Sequence, residues 1–209
     1  IDKCNFSYDN NSIKTSEKTF LATNSRGGLL HIPLKWAELH CRYDALLASN
    51  LNTEFPEDRH VTWRRCRIWL KYHGRSIALT ADNTKSFTLD TDGAGVWTFK
   101  VQIGNGKHVV ISITAFMIDR KNASGLNIFR ETAKKDKLTL EDDIPITLII
   151  RPDIEDRNFH DRTIAMAGPE EYWPKVLTHT NKYFTFKPTN DRLLNISTLK
   201  GHYKHAPEW

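Results

Sequence analysis

Apolar and polar positions alternate most regularly between Val96 and Ile113. Trp97, Phe99, Val101 and Ile103 share one phase, with Thr98, Lys100 and Gln102 between them, the period-two pattern of a half-buried strand. Gly104-Asn105-Gly106 supplies residues that tolerate positive φ, and Val109, Ile111 and Ile113 form the returning strand, so a hairpin is predicted. A second long strand is predicted over Val61 to Tyr72. There Val61 and Trp63 keep one phase and Cys66, Ile68, Leu70 and Tyr72 the other, a change that a β-bulge near Arg64-Arg65 would produce. Ile144, Ile146, Leu148 and Ile150 mark a further strand behind the turn pair Asp142-Asp143, and Tyr183 to Lys187 and Leu193 to Leu199 mark two more. Residues 1 to 19 are polar and aperiodic, as in an N-terminal arm leading to a first strand. Trp36, Leu39, Tyr43, Leu46 and Leu47 fall at helical spacing, whereas Ala45 to Leu51 also reads as a short buried strand; periodicity alone favours the helix. Pro169, Pro174 and Pro188 break the last third into short pieces. Strand follows strand with no convincing helix between, so the expected fold is an antiparallel all-β sandwich rather than an α/β sheet.

Composition narrows the class. With 209 residues, 39% of them hydrophobic and 26% charged, the chain is long enough for one large core and too apolar for disorder. No apolar run reaches the length of a membrane span. Thirty Lys and Arg against 25 Asp and Glu leave a formal charge of +5, clustered only at Arg64, Arg65 and Arg67 and at Lys134/Lys135, which reads as a solvated surface. Cys4, Cys41 and Cys66 form no Cys-x-x-Cys pair, so reduced thiols in a cytoplasmic protein are expected. Asn-x-Ser sequons at Asn5, Asn10, Asn122 and Asn195 then read as polar loops. No linker, repeat or low-complexity tract interrupts the chain, and a single domain over residues 1–209 is expected.

Thr23-Asn24-Ser25-Arg26-Gly27-Gly28-Leu29, followed by Arg42-Tyr43-Asp44-Ala45-Leu46-Leu47-Ala48, resembles the opening motif of the N-terminal domain of bacterial-type glycogen debranching enzymes, the amylo-α-1,6-glucosidase family. Pro56 to Val61, centred on Asp58-Arg59-His60, and the Trp97 hairpin leading to Met117 and Asn122 keep the family's order. Ile146 to His160, reading ITLIIRPDIEDRNFH, is similar to the family's strand that ends in a Pro and is followed by an Arg-Asp or Arg-Asn pair and a His. Asp44-Ala45 departs from the usual His-Gly, and Arg65-Cys66-Arg67 stands where an acidic residue is common. The resemblance covers about residues 19 to 209. It implies a galactose-mutarotase-like β super-sandwich in which residues 42–50 are a strand, and that reading is taken over the helical spacing. It also implies a catalytic (α/α) toroid of the same polypeptide, expected to begin beyond Ala206-Pro207-Glu208-Trp209 and to carry the catalytic carboxylates. This chain is accordingly expected to hold no catalytic residue and to help shape a cleft for α-glucan such as glycogen.

Several side chains are candidates for contact with substrate or a neighbouring domain. Arg157, Asn158, His160 and Arg162 follow a buried strand, where a β scaffold presents polar groups; a local network that pins the loop is the competing reading. Trp63 and Trp97 sit in the phase of the core. Trp36, Trp69 and Trp173, the last beside Tyr172 and Pro174, are the candidates for an open aromatic platform. The acidic groups Glu141-Asp142-Asp143, Asp153-Glu155-Asp156 and Glu170-Glu171 are expected in solvated loops rather than as a glycosidase pair, which needs carboxyls about 5–9.5 Å apart. His179, His202 and His205 lack a recognisable ligand partner and read as surface histidines, so no metal is expected, and no organic cofactor either. Neither a nucleophile elbow nor a phosphate loop is present. The rivals are a self-sufficient carbohydrate-binding module, an inactive docking domain, and nucleic-acid binding through Arg64 to Arg67; neither nucleic acid nor membrane is the expected partner.

Overall fold

A computed structural model describes residues 6–52, 54–133, 136–164 and 167–207. Cys4, the Asn5 sequon, Lys134/Lys135 and Glu208-Trp209 lie outside the described residues. The chain forms two compact units, residues 1–161 and 162–209.

The first unit is an antiparallel β-sandwich, as expected. In chain order it runs through β1 (Ser7–Asp9), a short helix α1 (Asn10–Lys14), β2 (Thr19–Thr23), β3 (Leu29–Pro33), β4 (Ala45–Asn50), β5 (Arg59–Tyr72), β6 (Arg75–Ala78), β7 (Thr84–Leu89), β8 (Gly95–Gly104), β9 (Lys107–Met117), β10 (Ser124–Arg130) and β11 (Thr147–Asn158). One sheet has the order β1-β7-β8-β9-β10 and the other β11-β5-β4-β3-β2, with β6 also paired to β5. Helix α1 is capped by Asp9, whose carboxylate accepts from Ser12 N at 2.9 Å.

The β8–β9 hairpin forms as the alternation requires: Trp97, Phe99 and Val101 are fully buried, and Gly104, Asn105 and Gly106 all take positive φ in the turn. Trp97 sits at the centre of the core. Its ring meets Phe87 at 4.7 Å, Trp36 at 5.1 Å and Phe20 at 5.8 Å, in edge-on geometries that aromatic quadrupoles favour, and its indole N–H donates to Leu34 O at 3.0 Å.

The phase change in β5 is a bulge. Arg65 pairs with Asp153 and Trp63 with Ile154, so Arg64 is passed over, and Trp63 and Cys66 both turn into the interior. Residues 45–50 are a strand, buried at all six positions because both faces of this inner strand are covered. The helical spacing through Trp36 and Leu39 instead spans irregular bends. Trp36 is therefore no open platform: it is 2% exposed and packs on Trp97 and on Phe99 at 6.2 Å.

Strand β11 begins at Thr147 rather than Ile144. The Arg130 guanidinium explains the delay, since it donates to the carbonyls of Leu140, Glu141 and Ile144 at 2.8, 2.6 and 2.6 Å and holds them as a loop. The strand stands at the sheet edge, where Pro152 is tolerated and Ile149 and Ile150 stay 43% and 47% exposed.

The second unit contains α2 (Ala167–Tyr172), a 3-10 turn at Trp173–Lys175, and the sheet β12 (Leu177–His179), β13 (Tyr183–Phe186) and β14 (Leu194–Ser197). Phe184, Phe186 and Leu194 form its small core. No helix among the described residues is long and apolar enough to cross a membrane.

His108 of β9 docks the 136–140 loop. It is 4% exposed, its backbone N–H donates to Leu138 O at 2.8 Å, Leu140 N donates to its carbonyl at 2.9 Å, and its Nε2 lies 3.2 Å from Thr139 Oγ1. Burial, and then the charges of Lys100 and Lys85, hold its pKa below the ordinary 6.5 despite Asp136. The folded state thus keeps this imidazole neutral while the unfolded chain takes up a proton, so its contribution to stability is present above about pH 6.5 and is lost as pH falls through the folded pKa. Thermal melts taken between about pH 7.5 and about pH 5.5 should show a Tm decrease that is smaller in His108→Gln; equal decreases would exclude this role.

Candidate functional site

The loops at one end of the sandwich are fastened by three asparagines. Asn24, just past β2, is fully buried; its Oδ1 accepts Arg26 N at 3.0 Å and Gly28 N at 2.8 Å, while its Nδ2 donates to Lys121 O at 2.9 Å and Asn122 Oδ1 at 3.3 Å. Asn122 in turn bonds both backbone groups of Asn50, accepting its N–H at 3.1 Å and donating to its carbonyl at 2.6 Å. Asn50 Nδ2 reaches Phe55 O and Asp58 O at 2.8 and 3.2 Å, and Arg59 Nε donates to Gly27 O. Each amide side chain stands in for strand pairing that the departing loops no longer supply. The two glycines follow from this crowding. A Cβ at Gly27 would lie 2.5 Å from Pro56 O, and one at Gly28 would lie 2.5 Å from Asn24 Nδ2.

Beside this rim lie the last two residues of β11, Arg157 and Asn158, and the loop that follows them. Arg157 is 7% exposed and its guanidinium is fully engaged: Nε and Nη2 meet Glu155 at 3.2 and 3.1 Å, Nη1 donates to the carbonyls of Asn158, Phe159 and Asp161 at 3.1, 3.3 and 2.7 Å, and Nη2 donates to Arg42 O at 2.7 Å. It ties the Arg42–Tyr43 segment to residues 158–161 and offers no free donor to a ligand, so the pinning network accounts for this residue. Asn158, half-buried, accepts His160 N at 2.9 Å. Phe159 packs on Tyr43 at 4.8 Å and, with it, covers Leu29, Ala45, Ala48 and Val61. The exposed His160 ring stands edge-on to Tyr43 at 5.9 Å, and the Arg42 guanidinium lies 4.9 Å above the Tyr43 ring. Arg42, Tyr43 and His160 thus form a partly exposed patch of aromatic faces and N–H and O–H donors, the composition that sugar hydroxyls and ring faces suit.

The family profile described as glycogen debranching enzyme N terminal matches residues 18–209, and these include every rim residue named above. The chain belongs to this family. Neither the curated proteins nor the solved structures contain a match. The residues that carry the family's motifs therefore have visible physical duties: Asn24, Gly27, Gly28, Arg59 and Asn122 fasten the loops, and Arg157 clamps the patch.

The remaining candidates of this debranching-enzyme domain fall elsewhere. Trp69 is half-buried on β5 with Arg67 5.8 Å from its ring, and pairs with Ile149 and Ala78. Arg162, Tyr172 and Trp173 belong to the second unit. Arg162 is exposed; Tyr172 is 48% exposed with its hydroxyl donating to Pro188 O at 3.1 Å; Trp173 is half-buried against Phe186 at 4.9 Å, so much of its ring serves packing. Arg42 and Tyr43 are missed by sequence reasoning, because an Arg-Tyr pair beside a helical or strand pattern carries no signal until the fold sets it against residues 158–160.

Acids and arginines of β11 and β5 neutralise one another across the ladder. Arg64 meets Glu155 at 3.0 Å, Arg65 and Arg67 meet Asp153 at 2.5 and 2.7 Å, and His60 meets Asp156 at 2.8 Å. The arginine cluster that a nucleic-acid groove would need is committed to carboxylates. The Asp153-Glu155-Asp156 group lies in a strand rather than in the solvated loop expected of it. At Glu141, the bond from Lys107 at 2.5 Å lowers the pKa, the opposite of what a general acid requires.

Loss of the Asn24 side chain strands the buried N–H of Gly28 and removes the partner of the Arg26 N–H. Asn24→Ala should cost about 2–4 kcal/mol in urea denaturation, against under about 0.5 kcal/mol for the exposed Arg26→Ala. Similar midpoints for the two variants would show that the network is dispensable.

Proposed function

We propose that this domain is non-catalytic and contributes one wall of an α-glucan cleft in a glycogen debranching enzyme, packing against a catalytic (α/α) toroid of the same polypeptide that hydrolyses α-1,6-linked glucose. The observation that carries this reading is the Arg42–Tyr43–His160 patch, held in place by the buried Arg157 and presented beside the fastened rim. A pre-organised surface of this kind loses little conformational entropy on contact and suits an accessory wall better than a site that must close by itself. The reading needs no metal or organic cofactor for glucan contact, and a cytoplasmic enzyme acting on stored glycogen is its natural setting. Pairing of the β11 acids with arginines and His60 supports assigning the hydrolytic carboxylates to the toroid.

The test uses the full debranching enzyme and branched α-glucan as substrate. Tyr43→Ala and His160→Ala should each raise KM about three- to tenfold, near 0.7–1.4 kcal/mol, with kcat nearly unchanged. Unchanged KM in both variants removes the patch from the cleft. Calorimetric titration of the 209-residue chain with glycogen separates the alternative: saturable binding that Trp173→Ala abolishes identifies a self-sufficient carbohydrate-binding module.

A further inference from the structure

Beneath Arg42–Tyr43 lies a cluster with a different chemistry. Strand β3 places His31 opposite Ala45, so the sheet register fixes its imidazole beside the neighbouring Asp44, and the turn closed by Asp44 N to Cys41 O at 3.3 Å brings the Cys41 thiol back to the same carboxylate. Asp44 is 1% exposed. Its Oδ2 accepts the backbone N–H groups of His40 at 2.5 Å and Cys41 at 2.8 Å, which fixes the carboxylate plane. Its Oδ1 faces His31 Nδ1 at 2.9 Å and Cys41 Sγ at 3.4 Å, and the three donor atoms lie within 4.8 Å of one another.

We propose that His31 Nδ1, Cys41 Sγ and Asp44 Oδ1 bind a divalent transition metal of the zinc class. Imidazole, thiolate and carboxylate are the donor types zinc takes, and bonds of about 2.0–2.3 Å put adjacent tetrahedral ligands about 3.3–3.6 Å apart, so the cluster needs to open or close by only a fraction of an ångström to about one ångström. Both Asp44 oxygens face donors, Oδ1 the His31 ring and the Cys41 thiol and Oδ2 two backbone N–H groups, the surroundings of a carboxylate rather than of a carboxylic acid. Two hydrogens now point at that one oxygen, from the imidazole and from the thiol. Binding releases the thiol proton, moves the imidazole proton to Nε2, and leaves a dication balanced by one thiolate and one carboxylate. The Asp44 Oδ2 bonds are the outer contacts that orient a metal-binding carboxylate. Cys41 is exposed, which gives an approach from solvent.

A cavity of about 10 Å³, room for one water, borders the cluster at His31 and Asp44, with Trp36, Arg64, Arg65 and Cys66 also in its wall, and the buried Trp36 indole N–H has no hydrogen-bond partner among the described residues. The site is structural in this reading: the ion would anchor the turn that carries Arg42 and Tyr43, and its existence is independent of the glucan assignment.

The probe is cobalt(II), added to reduced, chelator-treated protein. A saturable one-to-one signal in the thiolate-to-cobalt charge-transfer region, abolished by added zinc, is expected in the wild type and in Cys66→Ser. Cys41→Ser, a change at an exposed position, should remove the charge-transfer band, keep the Tm of the metal-free protein, and lower cobalt affinity at least about tenfold. His31→Gln should also weaken binding. Absence of saturable cobalt binding in the wild type, or a band that persists in Cys41→Ser, overturns the proposal.

Discussion

Strand β5 pairs on one side with β11 and on the other with β4 and then β6, so its residues 59–72 satisfy three neighbours. The bulge at Arg64 makes this possible. It shifts the alternation by one residue, turns Trp63 and Cys66 inward together, and leaves Arg64, Arg65 and Arg67 to meet the carboxylates of β11. Without that shift one half of the strand would present its apolar side chains to the wrong face. The ion pairs are half-buried, so their value lies chiefly in matching the two strands; breaking one member would strand a charge in a poorly solvated place.

From the β5 start the constraint passes to the rim. Arg59 bonds the Gly27 carbonyl and lies 5.6 Å from the Phe159 ring, and Phe159 N donates to Arg59 O at 3.0 Å. The asparagine network and the Arg157 clamp thereby share one anchor. Loops this strongly tied lose their conformational freedom when the domain folds rather than when a partner arrives, which is the physical basis for reading the Arg42–Tyr43–His160 patch as a contact surface.

Asp44 organises the 40–44 turn by accepting from His31, His40 and Cys41. The same arrangement that closes the turn gathers an imidazole and a thiol around one anionic oxygen. Local architecture and metal-binding capacity therefore have a common origin.

Much of the sandwich was legible because alternation in β8, β9 and β5 is a local property: the side chains that must face the core repeat every second residue, and the phase change announced the bulge. The motif residues also announced the family. The strand at 45–50 was left open by the residue pattern and decided by resemblance, which also drew 42–44 into it where the structure has a turn; a strand buried on both faces has no alternation, and an adjoining bend supplied helical spacing by coincidence. The roles of single side chains were set by tertiary structure. Trp36 looked available and is core, because Trp97 and Phe99 meet it from another sheet; Arg157 looked like a ligand donor and is a clamp, because Arg42, far away in sequence, brings its carbonyl to the guanidinium. Sequence thus determined which residues alternate, turn and recur in the family, each a short-range matter of sterics and hydrophobic phase. Tertiary structure alone decided which polar groups are spent on backbone carbonyls and which remain open, because that depends on partners that only folding brings within hydrogen-bond reach.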